Sequence, residues 1–116
     1  MSATRVVSAP ATTVHVVADD LIWASRLAAA VERAGGTLVR AGGEVAIVDL
    51  NGRAYDGIDA VALEVAAGRR TIAVGQHEDV ALRKRALAAG ARRVFSYNKM
   101  HSDGPRIVAD LLSGRL

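Results

Sequence analysis

Three aspartates carry most of the chemistry this chain could perform. Asp19 and Asp20 end the apolar run TVHVVA (13–18), and Asp49 ends the run VAIVD (45–49). Asn51 follows two positions after Asp49, and Asp56-Gly57 closes the segment DLNGRAYDG (49–57). Carboxylates gathered at one edge repel one another, and a hard cation such as Mg²⁺ relieves this by taking oxygen ligands while keeping several waters. A carboxylate beside such a cation can also serve as a nucleophile toward a phosphoryl group, because charge on the transferring oxygens is neutralised. Each acid has a plainer alternative. Asp19 and Asp20 sit where N-caps of a following helix belong, and Asp49 could accept hydrogen bonds from loop amides.

Little else has reactive spacing. The chain contains no cysteine, so disulfides, thiolate metal sites and a cysteine nucleophile are excluded. His77, in GQHED, falls near the same strand ends and is a candidate phosphoryl or metal contact, whereas His15 and His101 share no ligand spacing with it. GRAYDG lacks the glycine spacing of a phosphate-binding loop.

The elements that must position these residues alternate. Apolar runs at 13–18, 37–40, 45–49, 71–75 and 92–97 read as strands, and helical patterns occupy 21–34, 57–68, 78–89 and 104–114. Gly35-Gly36 and Gly90 stop two helices. Glu78 and Asp79 suit the positive end of the third, and Pro105 suits the first turn of the last. Near-continuous apolar strands alternating with helices predict a parallel sheet covered on both faces, with its site at the carboxyl ends of the strands.

One connection is too short. About four residues, Ala41 to Glu44, join the second strand to the third, a reach of roughly 14 Å. Crossing two strand spacings and returning along a full strand needs about 19 Å. The second strand must be very short or pair differently, and the helix usual in such a crossover is short or missing. The sheet surface so uncovered predicts a homodimer contact.

The 116 residues suit one domain, read as a flexible tail (1–12) and a folded unit (13–116). No apolar run approaches the roughly 20 residues of a membrane span, and Val6-Val7 is far short of a signal peptide, so the cytoplasm is the expected location. Alanine and arginine abound, which points to a GC-rich genome. Residues 1–57 carry five Arg against six acids, and residues 58–116 ten Lys and Arg against six acids. One end of the fold should be basic.

The acidic pair 19–20, the segment DLNGRAYDG and the stretch LAAGARRVF (87–95), in that order, resemble the receiver domain of bacterial response regulators, the CheY-like family, over about residues 13–114. The resemblance implies a flavodoxin-like open parallel sheet of order 2-1-3-4-5 with helices on both faces. It implies Asp49 as phosphoacceptor and Mg²⁺ held among Asp19, Asp20, Asp49 and the Asn51 carbonyl. A histidine kinase or a downstream regulator would be the protein partner. The sequence departs from the pattern at two places: Gly75 stands where the family has Ser or Thr, and Tyr97 where it has Lys, with Lys99 two residues beyond. The chain thus looks like a stand-alone pseudo-receiver that retains the scaffold and lacks the switch residues, a phosphorelay or interaction module without turnover chemistry. Arg83, Lys84, Arg85, Arg92 and Arg93 form its candidate partner surface. The alternatives are a basic α/β module that binds nucleic acid, which needs only clustered cations, and a small Mg²⁺ enzyme using the three aspartates. Trp23 is either a partner anchor or a core residue.

Overall fold

A computed structural model describes residues 10–116. Five strands, β1 (Thr13–Val17), β2 (Thr37–Val39), β3 (Val45–Asp49), β4 (Arg70–Gly75) and β5 (Val94–Ser96), form one sheet in the order β2-β1-β3-β4-β5, with every pair parallel. Four helices surround it: α1 (Leu21–Arg33), α2 (Gly57–Ala66), α3 (Val80–Ala88) and α4 (Tyr97–Ser113). This is the CheY-like, flavodoxin-like arrangement.

The central strands are apolar because both faces are covered. All five residues of β3 are buried. On one face Ile47, Ile72 and Val74 pack with Leu27 and Val31 of α1 and Ile107, Val108 and Leu111 of α4. On the other, Val48 and Ala73 pack with Val61 of α2 and Ala86 of α3. The helix ends follow their local chemistry. Asp20 caps α1 through the Trp23 amide (2.9 Å), Asp56 caps α2 through the Ile58 and Asp59 amides (2.9 and 3.0 Å), and Asp79 caps α3 through the Leu82 amide (3.0 Å).

No helix lies between β2 and β3, and the register shows why none is needed. β2 has three residues, and Val39 stands beside His15 while Val45 stands beside Val14. The chain therefore crosses β1 with almost no return along the sheet, which removes most of the missing length. Gly43, at φ 100°, lies flat on the sheet: a Cβ there would sit 3.1 Å from Val39 Cγ2 and 3.2 Å from the His15 nitrogen. Glu44 then ties the crossover to β1, its Oε1 accepting from the amides of Thr12 and Thr13 (3.0 and 3.1 Å).

Where a crossover helix would cover β1, the chain places a polar link. His15 Nδ1 lies 2.7 Å from Glu64 Oε1 of α2, and Arg69 reaches the same oxygen at 3.4 Å while donating to the Gly43 carbonyl at 3.1 Å. Leu63, one residue before Glu64, remains 69% exposed.

Two boundaries differ from those expected. The segment 92–97 yields a strand of only three residues, and Tyr97 begins a helix rather than ending a strand. Ser96 is the reason: its Oγ accepts from the Lys99 amide at 3.0 Å and starts α4 seven residues early. The helix kinks at Asp103 (φ −122°, ψ 18°), so Pro105 falls in the first turn of its second segment. The tail read over 1–12 lies mostly outside the described residues. Of its last members, Ala11 is buried and donates its amide to the Leu112 carbonyl (2.7 Å).

Candidate functional site

The site forms at the carboxyl edge of the sheet, where β1 and β3 present Asp19, Asp20 and Asp49 and the first turn of α4 brings in Tyr97. Asp49 is 1% exposed. Its Oδ1 accepts from the Asn51 amide at 3.1 Å and, in a shorter contact, from the Tyr97 hydroxyl. That hydroxyl also lies 3.0 Å from Asn51 Oδ1. It can donate only one hydrogen, and the ionised carboxylate is the stronger acceptor.

A second tyrosine supports the strand ends from below. The Tyr55 hydroxyl lies 2.6 Å from the Asp49 carbonyl oxygen and 3.1 Å from that of Val17, pinning β3 to β1. Gly52 makes room for this ring, since a Cβ there would meet Tyr55 Cζ at 2.1 Å. Gly57 is needed for the same loop, because its Cβ would fall 2.4 Å from the Leu50 carbonyl oxygen.

The electrostatics tie all three acids to the two tyrosines. Burial pushes both hydroxyls above the usual phenol range. The charges of Asp49 and Asp19 add to this for Tyr55. The hydrogen bond to Asp49, then the charges of Asp49 and Asp20, add to it for Tyr97. Asp19 is itself held below the usual carboxylate range by the amides of Ala54 and Arg53, which lie 2.6 and 3.0 Å from its Oδ2.

The candidate residues therefore divide. Asp19, Asp20, Asp49, Asn51 and Tyr97 share one rim. Gly75 is buried beside it, where a Cβ would lie 3.3 Å from Leu50 Cδ1 and 3.6 Å from Asn51 Oδ1. His77 is exposed in the loop after β4 and lines, with Gln76, Glu78, Ser96, Tyr97 and Asn98, a cavity of about 310 Å³. Lys99 is directed elsewhere. Its ammonium lies 2.7 Å from Asp103, one helical turn on, in a depression lined by Arg93, Phe95 and Arg106. Among the described residues no cation forms an ion pair with Asp49, and no group of three or more His, Cys, Asp and Glu side chains converges on a common point.

Lys84, Arg85, Arg92 and Arg93 are exposed on α3 and before β5, with the Arg93 guanidinium 5.0 Å from the centre of the Phe95 ring. Arg83 is half-buried and turned back toward the His77 carbonyl (3.4 Å). Trp23 is half-buried, its ring 4.6 Å from that of Tyr97 at 39°, so it packs against the site itself. The role of Tyr55 was not visible in the sequence. The residue lies inside the DLNGRAYDG segment, but its contact with Val17 spans 38 residues.

No protein-family model matches the sequence, and no curated protein matches it. Solved structures do match in fold. A response regulator from Burkholderia pseudomallei, determined with a phosphorylated aspartic acid, a calcium ion and citrate, superposes with a TM-score of 0.71 at 17% identity, over 87% of this chain and 66% of that one. The BeF3-activated DrrB receiver domain gives 0.74 at 15% identity, over 88% of this chain and 97% of that one. The signal receiver domain of a signal transduction histidine kinase from Syntrophus aciditrophicus gives 0.73 at 18% identity, over 90% and 92%. The chain spans just under two thirds of the first of these and nearly all of the other two. Sheet order, strand polarity and these superpositions agree that the chain has the receiver-domain fold of bacterial response regulators.

Proposed function

We propose that this chain is a receiver-fold signalling module that acts through protein contacts, with Asp49 withheld from phosphoryl chemistry in the arrangement seen. The observation that carries this reading is the Tyr97 hydroxyl on Asp49 Oδ1, where the fold's usual partner would be a lysine ammonium. A hydroxyl donates a hydrogen bond but brings no positive charge to a transferring phosphoryl group. Gly75, buried beside the rim, supplies no hydroxyl.

The oxygen donors of Asp20, Asp49 and Asn51 are the set a Mg²⁺ ion would use, with Asp19 alongside. As they stand they do not fit it. Both oxygens of Asp19 accept from loop amides, Asp20 caps α1, and Tyr97 holds one oxygen of Asp49. What the residues do in this state is hold Asp49 buried, with its Oδ1 accepting from the Asn51 amide and the Tyr97 hydroxyl.

The partner surface proposed is the ridge of α3. Val80, Lys84 and Leu87 recur at helical spacing on its outer side, with Val80 53% and Leu87 45% exposed, flanked by Arg85, Arg92 and Arg93. It suits an acidic protein with apolar contacts, such as a histidine kinase or a downstream regulator in the bacterial cytoplasm. A second copy of the chain over the thinly covered β1–β2 edge is proposed as a homodimer. No described helix is long and apolar enough to cross a membrane.

The test is incubation with Mg²⁺ and a small phosphodonor, followed by intact-mass measurement. No phosphoryl increment is expected, and an increment that Asp49→Ala abolishes would overturn the reading. One observation favours a nucleic-acid reading as an alternative: among the described residues, Lys84, Arg85, Arg92 and Arg93 have no acidic partner. A salt-sensitive gel shift lost on their substitution would establish it.

A further inference from the structure

We infer that Tyr97 is an internal occupant of the Asp49 pocket, a latch whose hydroxyl takes the carboxylate oxygen that an incoming cation needs and whose ring reports its position to α1. This deepens the reading above and rests on Asp49 being the residual functional acid. Three contacts from three parts of the chain define the latch. The hydroxyl meets Asp49 Oδ1 at the end of β3 and Asn51 Oδ1 in the following loop. The ring packs on Trp23 in the first turn of α1, at 4.6 Å between centroids. The Arg26 guanidinium lies 5.2 Å from the centre of the Trp23 ring.

A merely structural tyrosine would fill space and satisfy its hydroxyl on any nearby acceptor. Tyr97 instead uses the one buried aspartate of the described chain, at the point where the strand ends converge. The residue is only half-buried, and it lines the cavity of about 310 Å³ described above. Turning would free Asp49 and strip the stack from Trp23 in one movement. The first turn of α1 also carries Leu21 and Ile22, exposed at 86% and 62%. A change at Asp49 would thus reach an apolar surface on α1 without the absent Ser or Thr and Lys.

The chain has a single tryptophan, so its fluorescence reads the latch directly. Mg²⁺ is titrated into the full chain and into Tyr97→Phe, followed by Trp23 emission and independently by calorimetry. Phe retains the ring and removes the hydroxyl. A hydrogen bond to a charged group is lost, so Tyr97→Phe should bind Mg²⁺ about tenfold or more tighter than the parent. The gain should vanish when Asp49→Asn is added. Equal titrations of parent and Tyr97→Phe, or a gain that survives Asp49→Asn, would overturn the latch. Tyr97→Leu removes the hydroxyl together with the ring and should also bind Mg²⁺ more tightly than the parent. If Tyr97→Phe does not fold, absence of any gain in Tyr97→Leu overturns the proposal. Failure of the latch leaves the phosphodonor result untouched, whereas phosphorylation of the parent at Asp49 would strike the functional reading itself.

Discussion

The chain buries two carboxylates and treats them in opposite ways. Glu64, on α2, is 7% exposed and is met by the Arg69 guanidinium and the His15 ring. Asp49, at the end of β3, is 1% exposed and is met by a tyrosine hydroxyl and a backbone amide. Among the described residues the first acid has a cationic partner, and the second does not. A charge removed from water is costly unless it is paired. Glu64 is therefore a structural tie that closes the sheet where a crossover helix is lacking. Asp49 has no such tie, and the function proposed above takes it as the functional acid of the two.

This contrast can be broken by substitution. The largest effect is expected at the tie. Glu64→Ala leaves Arg69 and His15 without their anion beneath the 40–44 crossover and should lower stability by about 2–4 kcal/mol in urea unfolding. A loss below that of an ordinary surface substitution would mean the link contributes nothing. Next, Tyr55→Phe removes the hydroxyl that joins the carbonyls of Asp49 and Val17 and should cost about 1 kcal/mol, measured in the same way. Smallest is Asp49→Asn, which retains an acceptor oxygen and removes an unpaired buried charge. It should change stability by less than about 1 kcal/mol, in the stabilising direction. A loss at Asp49→Asn as large as that at Glu64→Ala would erase the distinction.

The two tyrosines sharpen it through pH. Their folded hydroxyls ionise above the ordinary value of 10.0, so the folded state keeps protons that the unfolded state releases. That stabilisation is complete below the ordinary value and is lost as pH rises through and beyond it. Alkaline unfolding curves should be less steep in Tyr97→Phe, and tyrosinate absorbance should appear only together with loss of structure. Asp19 runs the other way. Held below the ordinary 3.8, it contributes above that pH and loses its contribution as pH falls through its lower folded value.

Much of the scaffold was legible in the sequence because its signals are local. Runs such as VAIVD and TIAVG are buried on both faces and read as central parallel strands. The four residues expected between the second and third strands, five in the structure, foretold a missing helix from chain length alone. Asp20, Asp56 and Asp79 announce helix starts by residue type. The start of α4 was missed because Val94, Phe95 and Tyr97 suit a strand by composition, and the Ser96 cap outweighs them. A stripe of Met100, Gly104, Ile107 and Leu111 at helical spacing was available to reveal it. The partners of the two buried acids were not legible at all. Tyr97 and Asp49 are 48 residues apart and His15 and Glu64 are 49 apart, and no local pattern encodes such pairings. The pairing of Lys99 with Asp103 is local by contrast, one turn along the same helix, and becomes legible only once α4 is known to begin at Tyr97.

The most direct measurement is the backbone amide spectrum of the full chain with and without Mg²⁺ and beryllofluoride, a phosphoryl mimic. The amide of Asn51 donates to Asp49, and those of Arg53 and Ala54 donate to Asp19, so together they report on the rim. If Tyr97 holds Asp49, all three resonances stay in place at concentrations that saturate an open receiver site. Shifts of these three amides that saturate at those same concentrations in the unsubstituted chain would contradict the account.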